Sequence, residues 1–256
     1  MMSKLSLKPR PRGGRWPVAL AWLSLLLLAG AALMMGGAGP AHRMGLVDLG
    51  SAFGWLRQGA YVALAAAALG LVTLLVASLC KRVRPALAGG LVIIAVAGMM
   101  WVPYQLQQRA QQVPPIHDIS TDLDNPPGFV ALVEAREAAP NAVDHPGERT
   151  ARQQREAYPD IQPITLELTL TEALSAAEAA ALDQGWELAD VGGDRLEATA
   201  TTRWFGFKDD VVIRLSEVEG GTRVDVRSAS RLGRSDMGTN AQRIRDYMAA
   251  LRARVE

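Results

Sequence analysis

ITLELTLTEALSAAEAAALDQGWELADVGGDRLEATATTRW, residues 164–204, decides the fold of the second half of this chain. Its first seven residues alternate, with Ile164, Leu166, Leu168 and Leu170 on one face, the two-residue period of a half-buried strand. Thr171 can then cap a helix that runs to about Gln184, and Gly185 stands in the C′ position that ends it. Strands follow at 186–191 and 195–205, separated by Gly192-Gly193.

Downstream, strands are predicted at 210–217 and 222–230, parted by Gly220-Gly221, and a last helix at about 239–254. That helix sets Ile244, Tyr247, Met248 and Leu251 on one stripe. The order is β-α-β-β-β-β-α, and strands joined by short turns make an antiparallel sheet with the helices on one face. Alternation gives the opposite face a polar set: Thr165, Glu167 and Thr169, then Glu197, Thr199, Thr201 and Arg203, then Arg214, then Arg223, Asp225 and Arg227. Such a set is read either as a solvated face of cross-strand ion pairs or as a polar binding surface. Trp186 and Trp204 are expected to be buried, because a strand Trp offers up to about 250 Å² of contact.

Upstream, residues 105–163 carry eight prolines, among them the pairs Pro114-Pro115 and Pro126-Pro127. Regular structure is interrupted there, with short helices expected at 127–138 and 148–157. A stretch this long and irregular is expected to pack on the 164–256 domain as an extension.

Residues 1–104 are of another kind. They hold ten Lys/Arg and one acid, Asp48, whereas 105–256 hold seventeen Lys/Arg against twenty-five Asp/Glu. The segments 17–38, 59–80 and 85–104 contain no charged residue. About 20 apolar residues cross a hydrocarbon core, so 1–104 is a membrane anchor of three transmembrane helices. The first run is longer than the core of a cleaved signal and is read as a retained helix. The fold class is therefore membrane plus α+β.

Lys4, Lys8, Arg10, Arg12 and Arg15 precede the first span, and Lys81, Arg82 and Arg84 join the last two. The positive-inside rule places both in the cytoplasm and 105–256 outside it. The expected location is the cell inner (cytoplasmic) membrane, with the lipid bilayer as standing partner. None of the spans contains an ionisable residue of the kind that marks a transport path, and Gly59, Ala63 and Ala67 suit close helix packing. The acidic second half argues against nucleic acid as a partner. The one cysteine, Cys80, ends an apolar run and forms no intramolecular disulfide.

Three strings, VPPIHDISTDLDNPPGF at 113–129, TRWFGFKDDVVIRL at 202–215 and RVDVRSASRLGRSDMGTNAQRIRDYMAAL at 223–251, resemble the family catalogued as domain of unknown function 1499, in its bacterial form with membrane helices ahead of the domain. The resemblance implies a bacterial envelope setting. It implies no activity, cofactor or partner.

Candidate site residues fall in three places. His117, Asp118, Asp122 and Asp124 combine an imidazole with carboxylates, as a divalent metal site does, and Asp122-x-Asp124-Asn125 has the opening spacing of a calcium loop. The glycine and distant glutamate of such a loop are missing, and the same residues suit a helix start or tight turn. Asp209 and Asp210 are adjacent, so on a strand their side chains diverge, and a turn paired with Lys208 or Arg214 is expected. Arg227, Arg231, Arg234, Ser235 and Asn240 form the most suggestive group, guanidinium forks and a hydroxyl ahead of a helix N-terminus. They suit an anion, or they tie the strand-to-helix corner through Asp236.

No catalytic or cofactor motif is present: no Gly-x-Ser-x-Gly, His-Glu-x-x-His or Walker loop. The sequence therefore points to a membrane-anchored envelope binding or interaction module. Its ligand would be an anionic small molecule, a lipid headgroup or an envelope protein. The alternative is an envelope hydrolase using His117 and nearby carboxylates, favoured if residues 117–124 meet the 227–240 corner in one pocket.

Overall fold

A computed structural model describes residues 13–255. The chain divides into two compact units, residues 1–105 and 106–256.

In the first unit the helices are α1 (Trp16–Arg43), α2 (Leu49–Leu79) and α3 (Val83–Gln112), the last continuing into the second unit. All three are long and apolar enough to cross a membrane. Each outruns its charge-free segment, because helix propagation does not stop where the apolar run does. Asp48 caps α2 by accepting from the Ser51 amide at 2.9 Å. Small residues one turn apart on α2, Gly59, Ala63, Ala66 and Gly70, are buried against the other helices. A Cβ on Gly89 would strike the Gly70 carbonyl oxygen, so α2 and α3 approach backbone to backbone.

The second unit is built on an antiparallel sheet. Its strands are β1 (Asp118–Ser120), β2 (Ile164–Leu166), β3 (Glu187–Gly192), β4 (Arg195–Thr201), β5 (Lys208–Val218) and β6 (Gly221–Ser230). The spatial order is β1-β6-β5-β4-β3, and β2 lies beyond β1 along the same edge of β6. Two helices, α6 (Leu170–Asp183) and α7 (Thr239–Val255), cover one face. Their apolar stripes meet Leu196, Ala198, Val211, Ile213, Val224 and Val226 in the main core. Trp186 stacks on Tyr247 there, ring centroids 5.0 Å apart.

The expected element order is present, with three local differences. The first strand ends at Leu166, because Thr169 and Glu172 form a capping box that starts α6 before Thr171. The strand expected over 195–205 stops at Thr201, and 202–207 turn: the Phe207 amide donates to the Thr202 hydroxyl at 2.8 Å. That turn holds Trp204 edge-on against Phe205 with 41% of its surface exposed, so only Trp186 of the two expected core tryptophans is buried. The strand β5 begins at Lys208, so Asp209 and Asp210 lie within it and not in a turn; their side chains do diverge.

The largest difference concerns the polar face. It is neither solvated nor open. Residues from the proline-rich stretch, with the short helices α4 (Val133–Glu137) and α5 (Glu148–Ala157), lie over it. Phe129 and Leu132 pack on Val212 and Ala229, forming a small second core. Gln154 of α5 holds β1 by both edges of its amide, accepting from the Ser120 amide at 3.0 Å and donating to its carbonyl at 2.6 Å.

Candidate functional site

On β6 the odd positions Arg223, Asp225 and Arg227 face the extension, while Val224, Val226, Ser228 and Ser230 face the helices. Arg227 is 2% exposed on its side chain, and Asp118, 1% exposed, accepts two bonds from it at 2.9 and 2.8 Å. Its other contacts are the Pro127 and Val143 carbonyls at 3.1 and 2.9 Å. Arg231 forks onto Asp210 at 2.9 and 2.8 Å. Asp210 also accepts from Arg136 at 3.1 Å and from the Thr199 hydroxyl at 2.9 Å. The Arg136 and Arg227 guanidinium groups both lie over the Phe129 ring, 4.6 and 4.9 Å from its centroid. Glu197, wholly buried, accepts from the Val130 and Leu132 amides at 2.6 and 3.0 Å.

These contacts stitch the extension to the sheet. Burial pulls the Arg136 pKa down against the pull of Asp210, while the bond to Asp210 raises that of Arg231. A network this closed specifies which way the extension lies.

The remaining predicted residues scatter. Asp122 is bridged by Arg214 and Arg223, which also hold Asp225, and Asp124 is met by Arg155 at the surface. With Asp118 taken by Arg227, the four residues 117–124 do not form one ligand set; among the described residues no group of three His, Cys, Asp or Glu side chains suits a metal ion. Arg234 is exposed and makes no ion pair among the described residues. The Ser235 hydroxyl accepts from the Met237 amide at 3.2 Å. Asn240 accepts from Ser228 at 2.7 Å and donates to the His117 carbonyl at 2.9 Å and the Ser230 hydroxyl at 3.0 Å.

The amides expected to be free at the start of α7 are occupied by the chain itself. Asp236 accepts from Gly238 and Asn240 at 2.8 and 2.7 Å, and its burial raises its pKa. Residues 117–124 thus do meet the 227–240 corner, through β1 and buried hydrogen bonds. His117 Nδ1 and His145 Nε2 are buried there without a hydrogen-bond partner, and burial lowers the His145 pKa.

A cleft of about 320 Å³ opens on the helix side of the sheet, at the start of α7. Arg109, Trp186, Thr201, Gln242, Arg243 and Asp246 are among the residues that line it, with Thr239 at the helix start. Arg243 is anchored by Asp209 at 2.6 Å and the Ser228 hydroxyl at 3.0 Å, leaving its face toward the cleft fixed in place. Arg109 is exposed and has no ion-pair partner among the described residues. Sequence reasoning missed both. Neither sits in a local pattern; they come from helices far apart in the chain, and only the fold brings them together.

Fold and site define a protein with three potential membrane helices and an α+β domain whose polar sheet face is sealed by its own N-terminal extension. The family described as "Protein of unknown function (DUF1499)" matches residues 118–251, and the chain belongs to that family. No curated protein matches it.

Proposed function

We propose that this protein is a membrane-anchored binding module of the cell envelope, whose domain takes an anionic small molecule in the Arg109–Arg243 cleft. In this reading the N-terminus and the 81–84 loop lie in the cytoplasm and residues 106–256 across the inner membrane from them, which the basic flanks favour. The observation that carries the ligand class is Arg109, which makes no ion pair among the described residues and lines a cleft with Thr201, Thr239, Gln242 and the Trp186 indole; Arg243 there is already paired with Asp209, and Asp246 adds one carboxylate. Guanidinium forks and hydroxyls suit carboxylate or phosphate oxygens. The binding role moves here from the 227–234 arginines, because Arg227 and Arg231 are saturated by Asp118 and Asp210.

The hydrolase reading draws on the contact of His117 with the corner, but its carboxylate neighbour Asp118 is closed off by Arg227. Binding is the better reading. Thermal melts of the protein with phosphate, pyrophosphate and citrate test it. At least one should raise the melting temperature, and Arg109→Gln should remove that rise while leaving the ligand-free melt unchanged. No rise with any of them, or an equal rise in Arg109→Gln, rejects the cleft as an anion site.

A further inference from the structure

The first unit contains a feature that its role as an anchor does not use. A groove of about 680 Å³ runs between α2 and α3 toward the turn that joins them. Leu74 of α2 and Leu87, Leu91 and Ile94 of α3 make its walls, and Lys81 and Arg82 stand at its mouth. Gly90 also lines the groove, and a Cβ there would meet nothing within 4 Å, so the space is open.

Charge at this end of the unit is one-sided. Arg15, Lys81, Arg82 and Arg84 gather around the turn, where the Arg82 guanidinium donates to the Gly14 carbonyl at 2.6 Å and so draws the start of α1 in beside it. The only acid in residues 1–105 is Asp48, which caps the opposite end of α2, roughly 45 Å away along the helix. Lys81 has no ion pair among the described residues. Within residues 1–105 no acid stands at this end of the unit to balance the cluster.

We infer that the groove is a binding site for one anionic phospholipid, with an acyl chain between α2 and α3 and the headgroup phosphate at Lys81 and Arg82. Apolar walls alone give little preference in a bilayer, because surrounding lipid tails are equally apolar. Selectivity comes from the mouth, where two cations meet a phosphate at the membrane surface. The site is independent of the Arg109 cleft and does not depend on which way the protein crosses the membrane.

Native mass spectrometry of the full chain, released from nanodiscs containing equal phosphatidylglycerol and phosphatidylcholine, reads the site directly. The wild type should retain phosphatidylglycerol over phosphatidylcholine by on the order of thirtyfold, the preference expected for two surface cations. Lys81→Gln/Arg82→Gln should bring the two lipids to parity. Gly90→Leu fills open space without a backbone clash, so it should lower retention of both lipids while leaving the charge untouched. Millimolar inorganic phosphate should displace nothing. Equal retention of the two lipids by the wild type overturns the assignment, as does an unchanged preference in the double variant or full lipid retention in Gly90→Leu. Displacement by inorganic phosphate would make it an anion site without an acyl chain, and the lipid assignment would be wrong.

Discussion

Arg136→Met tests whether the extension is part of the domain's core. Arg136 is fully buried and donates to Asp210 at 3.1 Å, to the Ala229 carbonyl at 3.0 Å and to the Ala142 carbonyl at 2.8 Å. Methionine keeps the apolar stem against Phe129 but removes the charge and all three bonds. Removing one partner of a buried pair costs about 3–5 kcal/mol. Asp210 keeps its fork to Arg231 and its bond to Thr199, so it is not stranded, and the loss belongs at the lower end, about 3 kcal/mol. For a domain of this size that lowers the melting temperature by about 6–12 °C. The assay is urea and thermal unfolding of residues 106–256, with Asp210→Asn and the double variant completing a cycle. A coupling of about 1–3 kcal/mol between the two positions is expected. A loss below about 1 kcal/mol, or additive single effects, would show that the extension rests on the sheet without being held by it.

Trp186→Ala removes a ring stacked on Tyr247 and should cost about 3–5 kcal/mol. Trp204→Ala, at a half-exposed turn, should cost under about 1 kcal/mol, both read by urea midpoint. His145 is held neutral by burial, so its folded pKa lies below its unfolded value of about 6.5. The unfolded state then binds the proton first, and stability falls as pH drops from about 6.5 toward the folded pKa. His145→Asn, which keeps an acceptor for the Gly147 amide, should flatten the melting temperature against pH between 7 and 5.5; an unchanged slope assigns the pH dependence to other groups.

Much of this architecture is legible because its signals are local. Charge-free runs give the three potential spans, and alternation gives the two faces of β4, β5 and β6 residue by residue. The capping box at Thr169 was equally local, yet the continuing alternation of Leu168 and Leu170 hid it. What covers the polar face was not legible. Periodicity says that Glu197, Arg214 and Arg227 share a side of the sheet, but burial of charges there requires partners such as Asp122 and Asp118, contributed by a stretch with no periodic pattern. The arginine corner misled for the same reason. Arg227 and Arg231 look like anion ligands until the carboxylates that neutralise them are placed by the fold. Arg109 was passed over because it follows the third span in a polar run, and its position beside α7 is a tertiary fact.

The reading of this protein as an anchored envelope module rests on residues 106–256 lying across the membrane from the basic 81–84 turn. Fusions after Glu256 measure that directly, one to a phosphatase that folds only outside the cytoplasm and one to a fluorescent protein that matures only within it. The account predicts a fully active phosphatase and a dark fluorescent fusion. An inactive phosphatase with a bright fluorescent fusion contradicts it, and would place the domain and its Arg109 cleft in the cytoplasm.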